Sequence, residues 1–307
     1  MANRKRLVFS IAQWLFAAAV VWFAARALRG QWAEAGQRLR TLSPEWGWIL
    51  LATGIVVATY LLLIETWRRV IIASGEKLSF ADAARIWFIS NLGKYVPGKV
   101  WSIAAMSMMA RRTNVSAGVA AGSSIIVQLV SIAAGIAVVL VCGAQLVENR
   151  LIGMIILAVI VILIVTLPVS VGLAARAARG LTGREVTLPV IPQSAVWMTV
   201  AGSSIAWIAY GIAFQLFVRG ILGSSAGATT SYIAVYAASY IIGFLALFAP
   251  GGAVVRESAI VTGMVRFALS GQADALAIAL TSRLWLTVTE VVPGLAYMAA
   301  GKREPRD

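Results

Sequence analysis

The sequence predicts an all-α polytopic membrane bundle of about seven spanning helices and two interrupted helical segments. The 307-residue chain is 60% hydrophobic and only 12% charged, which is typical of a membrane protein and not of a soluble domain. Its apolar runs are long enough to cross about 30 Å of hydrocarbon, and no soluble domain fits between them. Pro-Gly pairs interrupt two of these runs.

The N-terminal region begins with a basic segment, Arg4 to Arg6, followed by an apolar run over residues 7–25. We predict a retained spanning helix, because the run is longer than the apolar core of a signal peptide and no small-residue cleavage site precedes a soluble domain. Residues 26–45 carry several arginines and fit either an interfacial helix with snorkelling side chains or a solvated connector.

Six further spans are predicted in the remainder of the chain. They cover residues 46–67, 117–141, 151–175, 194–218, 229–248 and 273–300. Glu65, near the end of the first of these, is predicted to pair with Arg68 or Arg69 one turn on. The polar connector over residues 176–192 divides the chain into weakly repeated halves, about 46–143 and 195–300, of one transmembrane domain that covers residues 1–307.

Two breaks occur at corresponding places in these halves. The first reads Asn-Leu-Gly-Lys-Tyr-Val-Pro-Gly-Lys at residues 91–99, between helices predicted at 80–92 and 100–110. Each flanking helix is too short to cross alone, which predicts a re-entrant hairpin whose turn is buried in protein. The second break reads Ala-Pro-Gly-Gly at residues 249–252. Paired breaks are typical of binding sites in repeat-built transporters; simple proline kinks are the alternative.

Composition excludes several classes of chemistry. The chain has no histidine and one cysteine, Cys142, so His-based catalysis, His metal sites and an intramolecular disulfide are excluded. We expect no metal and no cofactor. Lys and Arg outnumber Asp and Glu by 26 to 12, but no groove-reading motif is present, so the excess indicates cytoplasmic loops and not a nucleic-acid partner.

Loop charges predict an orientation in the cell membrane. Basic residues cluster at 68–85, 111–112 and 176–184, whereas the links at 145–150 and 219–228 are poor in them. The basic side, and with it the N-terminus, is therefore predicted to be cytoplasmic. Seven spans with two re-entrant hairpins would then place Lys302 and Arg303 outside. Either one interrupted segment crosses fully or the C-terminal charge bias is too weak to matter.

Both breaks resemble signatures of a known family. Residues 91–116, with Asn-Leu-Gly-Lys-Tyr-Val-Pro-Gly-Lys followed by an apolar helix and Arg111-Arg112, resemble the first signature of the lysylphosphatidylglycerol synthase transmembrane region family. Residues 249–259, Ala-Pro-Gly-Gly-Ala-Val-Val-Arg-Glu-Ser-Ala, with Arg283 downstream, resemble the second. The resemblance implies a membrane protein similar to the flippase part of the multiple peptide resistance factor and to stand-alone relatives proposed to translocate lipids or polyprenyl-linked glycans.

The resemblance also bears on enzymatic activity. Members that make aminoacyl-lipids carry a soluble C-terminal acyltransfer domain, for which this chain, ending at Asp307, has no room. No carboxylate pair at catalytic spacing is present either. We therefore expect a protein that is not an enzyme. At the first break this chain has Lys99 where many relatives carry arginine or another residue, so the family does not define the headgroup preference.

A lipid translocase needs a polar cavity at membrane depth, and broken helices provide helix N-termini that attract phosphate. The expected substrate-binding residues are Lys94, Pro97, Gly98 and Lys99 from the first break, with Pro250, Gly251, Gly252, Arg256, Glu257, Arg283 and Glu290 from the second half. The lysines and arginines would bind phosphate, and the two glutamates would balance the arginines. Alternatively, the lysines snorkel to the cytoplasmic surface and the arginines form structural ion pairs.

Two functions follow as expectations. The first is a translocase that moves an anionic phospholipid or a polyprenyl-phosphate-linked glycan between leaflets without nucleotide hydrolysis, because no phosphate-binding Gly-rich loop is present. The alternative is a non-transporting scaffold that binds lipid and supports a separate glycosyltransferase or lipid synthase. The expected partners are accordingly a membrane lipid or lipid-linked glycan, with such an enzyme as a further candidate.

Overall fold

The computed structural model describes residues 43–95, 100–146, 149–182, 191–246, 252 and 254–300, where all regular structure is helical. The α-helices are α1 (Trp46–Ala73), α2 (Phe80–Asn91), α3 (Val100–Ala110), α4 (Ala117–Cys142), α5 (Arg150–Thr182), α6 (Gln193–Leu222), α7 (Thr229–Leu245), α8 (Val255–Arg266) and α9 (Gln272–Ala300). The predicted all-α class is confirmed. The predicted span at 7–25 lies outside the described residues, as does most of the connector that follows it.

Five of the described helices are long and apolar enough to cross a membrane: α1, α4, α6, α9 and the Arg150–Leu173 part of α5. The count of about seven spans is therefore not confirmed. Thr229–Leu245, where we predicted a span, has 17 residues, which corresponds to about 25 Å of helix. That length is short for a hydrocarbon core of about 30 Å.

Helices α7 and α8 run antiparallel as a close pair. A Cβ at Gly243 would lie 2.9 Å from the Cβ of Arg256, and a Cβ at Gly263 would lie 2.9 Å from a methyl carbon of Val235. The C-terminal end of α7 therefore lies beside the N-terminal end of α8, as in an antiparallel pair. The two glycines allow the two backbones to approach closely. Helices α2 and α3 also pack against each other. Re-entry of either pair into a bilayer stays a prediction.

The two halves contain long and short helices in the same order. Helices α1 to α4 have 28, 12, 11 and 26 residues, and α6 to α9 have 30, 17, 12 and 29. By this order, α1 corresponds to α6, α2 to α7 and α4 to α9. The contacts show the same correspondence: α4 packs on α7, α9 packs on α2, and α1 packs on α6. A repeat of two halves would produce this order; the repeat itself stays a prediction.

The most extensive helix–helix contact joins α1 to α6. A Cβ at Gly202 would lie 2.5 Å from Oγ1 of Thr66, and a Cβ at Gly220 would lie 2.7 Å from Cγ1 of Ile49. Such small residues let membrane helices approach closely. Near the C-terminal end of α1, next to Thr66, Glu65 accepts hydrogen bonds from Arg68 Nη1 at 3.0 Å and from Arg69 Nε at 2.6 Å. The predicted pairing of Glu65 is confirmed, with both arginines as partners.

Helix α5 lies at the periphery of the bundle. It packs mainly on α4 and α6, and it exposes a broad apolar surface that includes Leu151, Met154, Ile162 and Leu163. Lipid tails are as apolar as these side chains, so a bilayer would cover this face without a protein partner. The polar groups of interest lie on the other eight helices.

Candidate functional site

A cavity of about 290 Å³ lies among the described helices, and every one of them except α5 contributes to its wall. The wall is largely apolar and aromatic, with rings from α1, α2, α6 and α7 that include Trp67, Trp87, Trp207 and Tyr240. Charged and polar side chains interrupt this surface at a few points. The cavity therefore has the composition of a ligand site: an apolar enclosure with a small number of placed polar groups.

The backbone turns sharply where the second break meets α8. Gly252 has a φ of +67° and Val254 a φ of +72°, a region that L-residues with a branched side chain rarely adopt. A Cβ at Gly252 would also lie 2.7 Å from the carbonyl oxygen of Gly243. Glycine is needed at 252 for both conformation and space. The turn brings the start of α8 against α7 at the cavity wall.

Glu257 holds this turn in place. Its carboxylate accepts a hydrogen bond from the backbone N–H of Val254, which caps the N-terminus of α8. The other carboxylate oxygen accepts from Arg283 Nη1 at 2.7 Å. Glu257 is only 5% exposed, so both of its oxygens are used by neighbouring protein groups. This ion pair is consistent with the prediction that Glu257 balances the charge of an arginine. The pair joins α8 to α9.

Arg256, the preceding residue, has a different environment. It is 8% exposed, and its Nε and Nη2 are buried without a hydrogen-bond partner in the described part of the chain. Its guanidinium lies 5.6 Å from the ring centre of Tyr236 and 5.9 Å from that of Tyr240. Cation–π contacts stabilise the charge but leave its N–H donors unused. Buried unpaired donors on a cation are costly, so this position is suited to an anion.

The third charged part of the wall is on α9. Arg283 and Glu290 are two helical turns apart and both line the cavity. The hydroxyl of Tyr60 donates to Glu290 Oε1 at 3.1 Å, and the Tyr60 ring packs edge-on against Phe88 and Tyr210. These contacts join α1, α2, α6 and α9 around the same carboxylate. Residues distant in sequence thus form one wall.

The structure brings four of the predicted site residues together at the cavity: Gly252, Arg256, Arg283 and Glu290. Glu257 is not among the residues that line the cavity, but its carboxylate accepts a hydrogen bond from Arg283. The backbone of Lys94 lies in the short 3-10 turn Leu92–Tyr95 that follows α2. Five predicted residues lie outside the described part of the chain, namely Pro97, Gly98, Lys99, Pro250 and Gly251, so their role in the site stays a prediction.

Sequence reasoning missed the uncharged part of the wall. Trp87, Ser102 and Gln128 line the cavity from α2, α3 and α4, and Tyr236 and Tyr240 line it from α7. Two signals were present in the sequence. Gln128 is a lone amide in the apolar run of α4, and the two tyrosines are one helical turn apart shortly before the second break.

The described residues contain no group of three or more His, Cys, Asp or Glu side chains arranged to hold a metal ion.

Comparison with known proteins identifies the chain at the level of the family. A search of curated proteins gives no match. The family model described as lysylphosphatidylglycerol synthase TM region matches residues 7–294, which include both breaks and all the residues that line the cavity. With its long apolar helices, the chain is a multi-pass membrane protein with a function related to membrane lipids. It belongs to the lysylphosphatidylglycerol synthase transmembrane region family.

Proposed function

We propose that the protein moves an anionic lipid between the two leaflets of the cell membrane by passing its headgroup through the cavity. The observation that carries the proposal is Arg256, a buried cation whose Nε and Nη2 have no partner in the described part of the chain. A phosphate would supply the acceptors that this guanidinium lacks.

The cavity offers what a headgroup needs at membrane depth. A polar headgroup is expensive to place in hydrocarbon, whereas here it would meet hydrogen-bonding groups from eight helices. The acyl or prenyl tails would stay in the bilayer. Because the step makes and breaks no covalent bond, it requires no catalytic residue, and we propose a transporter and not an enzyme.

The two arginines would play different parts. Arg256 would bind the phosphate through its Nε and Nη2, because its guanidinium lies over the rings of Tyr236 and Tyr240 and these two donors have no hydrogen-bond partner in the described part of the chain. Arg283 already donates to Glu257 at 2.7 Å. Its charge is therefore largely balanced, and we propose that it shapes the site and adds a weaker contact.

The substrate class includes anionic phospholipids and polyprenyl-phosphate-linked glycans, because both carry the phosphate that Arg256 would bind. We place the N-terminus on the cytoplasmic side, and we propose that the helix pairs α2–α3 and α7–α8 are re-entrant. A separate synthase or glycosyltransferase would supply the lipid. A lipid-binding scaffold without transport would use the same anion site, so only a transport measurement separates the two functions.

Transport is tested with the purified chain in liposomes that contain a fluorescent phosphatidylglycerol, by measuring how fast the inner-leaflet label becomes accessible to an impermeant quencher. We expect lipid exchange to be faster than in protein-free liposomes. In Arg256→Gln the rate of exchange should fall by about tenfold or more, because the substitution removes a charge-assisted contact. Arg111→Gln is the matched control, because Arg111 is exposed and lies away from the cavity.

Absence of exchange for phosphatidylglycerol and for a polyprenyl-phosphate sugar, with folded protein, would refute the translocase. If lipid still co-purified with the wild-type chain and was lost in Arg256→Gln, the scaffold function would replace it.

A further inference from the structure

We infer that the cavity contains a second, uncharged subsite that binds the hydroxyl groups of the headgroup, so that the lipid carries a small polyol or a single sugar on its phosphate. The inference rests on the proposed function, because it names the headgroup class for the same cavity. It comes from residues that none of the charge arguments uses.

Two side chains on either side of the first break define this subsite. Trp87 Nε1 on α2 and Ser102 Oγ on α3 are both buried, and neither has a hydrogen-bond partner in the part of the chain that the structure describes. Both residues line the cavity. Buried polar atoms are nearly always paired in folded proteins, so two unpaired ones in the same cavity point to a ligand that supplies the missing bonds.

Trp87 differs from two other tryptophans of the cavity, Trp67 and Trp207, in the hydrogen bonding of its indole N–H. Trp67 Nε1 donates to Ser124 Oγ at 3.1 Å, and Trp207 Nε1 donates to the backbone carbonyl of Ser131 at 2.8 Å. Protein groups thus satisfy both of these indoles. The ring centre of Trp87 lies 6.3 Å from that of Trp67, and no described group accepts a hydrogen bond from its Nε1.

The chemistry of the subsite favours hydroxyl groups. Trp87 needs an acceptor, Ser102 can donate and accept, and the amides of Asn91 and Gln128 in the same wall can do both. A hydroxyl matches all of them, since it also donates and accepts. A choline group could stack on the indole rings, but it has no donor or acceptor and would leave Trp87 and Ser102 unsatisfied.

The size of the cavity limits the headgroup to one small unit. Its volume of about 290 Å³ lies just below the range of about 300–1,000 Å³ for small-molecule sites. Phosphate at Arg256 with one glycerol, inositol or hexose fits this scale, whereas an oligosaccharide does not. Of the substrates considered above, this favours lipids with a single hydroxylated unit.

The test uses liposomes with the wild-type chain and fluorescent lipids that share the same tails: phosphatidylglycerol, phosphatidylinositol, phosphatidic acid and phosphatidylcholine. We expect phosphatidylglycerol or phosphatidylinositol to exchange fastest and phosphatidylcholine slowest. Trp87→Phe keeps the ring and removes the N–H, and Ser102→Ala removes the hydroxyl. Each should slow exchange of the two polyol lipids by about threefold to tenfold, the loss expected for one buried hydrogen bond, and leave phosphatidic acid unchanged.

Trp197→Phe and Ser107→Ala are matched controls. Trp197 is 46% exposed at the start of α6. Ser107 is not among the residues that line the cavity, and its hydroxyl donates to the backbone carbonyl of Ile103. Neither should alter the ratio of phosphatidylglycerol to phosphatidic acid exchange. If Trp87→Phe unfolds the chain, Ser102→Ala still reports on the subsite.

Equal slowing of phosphatidylglycerol and phosphatidic acid, or wild-type exchange of phosphatidylcholine as fast as that of phosphatidylglycerol, would overturn the subsite. No exchange of any lipid would instead count against the proposed function. In that case native mass spectrometry of the detergent-solubilised chain decides: a bound ratio of phosphatidylglycerol to phosphatidic acid that falls in Trp87→Phe supports the subsite, and an unchanged ratio rejects it.

Discussion

At the scale of single residues, two arginines that both line the cavity differ in how their charge is balanced. Arg283 donates to the buried carboxylate of Glu257 at 2.7 Å, whereas Arg256 lies over the ring of Tyr236 and has two donors without a hydrogen-bond partner among the described residues. Because a buried ion pair that loses one partner leaves the other charge stranded, the two positions should respond differently to the same substitution.

We expect Arg283→Gln to lower the free energy of unfolding by about 1–3 kcal/mol, because it leaves the Glu257 carboxylate buried without its cation. Arg256→Gln should leave stability unchanged or raise it, since it removes an unpaired buried charge, while transport falls. Intrinsic tryptophan fluorescence during thermal unfolding in detergent measures the stability of both variants. The double variant Arg283→Gln with Glu257→Gln should recover part of the loss; equal stability of the single and double variants would contradict the ion-pair account.

At the scale of elements, the junction between α7 and α8 carries the most constrained backbone of the described chain near the cavity. Gly252 and Val254 both have positive φ, and the Glu257 carboxylate caps α8 one turn further on. The antiparallel contact of α7 with α8 depends on Gly243, where a Cβ would lie 2.9 Å from that of Arg256. A change in this junction should therefore displace Arg256 as well as lower stability.

Gly252→Ala should destabilise the protein by at least about 1–2 kcal/mol, the cost of a left-handed backbone for an L-residue, with a further steric cost from the Gly243 carbonyl. Gly271→Ala is the control, because nothing lies within 4 Å of a Cβ there, and it should be neutral. Thermal unfolding of both variants checks this. Similar midpoints for the two would mean that the turn at 252 is not required.

At the scale of the whole molecule, the antiparallel α7–α8 pair bears on the topology of the chain in the membrane. If Thr229–Leu245 is one arm of a hairpin and not a span, the chain between α6 and α9 starts and ends on one side of the membrane. Five spans in the described part and one predicted at residues 7–25 then place both termini on the same side. Lys302 and Arg303 would lie on the cytoplasmic side, in agreement with the positive-inside rule, and the two hairpins would open on opposite sides.

This topology predicts the labelling of single cysteines introduced in a Cys142→Ser background at four exposed loop positions, Ser79, Asn114, Ser224 and Gly271. With a membrane-impermeant maleimide on intact cells, Ser224→Cys and Gly271→Cys should react, whereas Ser79→Cys and Asn114→Cys should react only after permeabilisation. Labelling of Ser224→Cys and Gly271→Cys from opposite sides would show that α7 crosses the membrane. Seven spans would then again place Lys302 and Arg303 outside, against the positive-inside rule.

The sequence by itself determined the helical class, the family, the positions of the breaks and the charged residues near the second break. These follow from local chemistry: a backbone in hydrocarbon must satisfy its own hydrogen bonds, so apolar length predicts helices and Pro-Gly predicts where they end. It did not define the number of spans, because composition does not distinguish a 17-residue arm of a hairpin from a short crossing helix.

Only the tertiary structure decided which charges have a protein partner within the described part of the chain. Glu257 contacts Arg283, 26 residues away, and Glu290 contacts Tyr60, 230 residues away. The neighbouring Arg256 has two donors that no group in the described ranges accepts. Trp87 and Ser102 join the same cavity from the first half. The energy of a buried charge or donor depends on every group around it, and those groups come from helices far apart in the sequence.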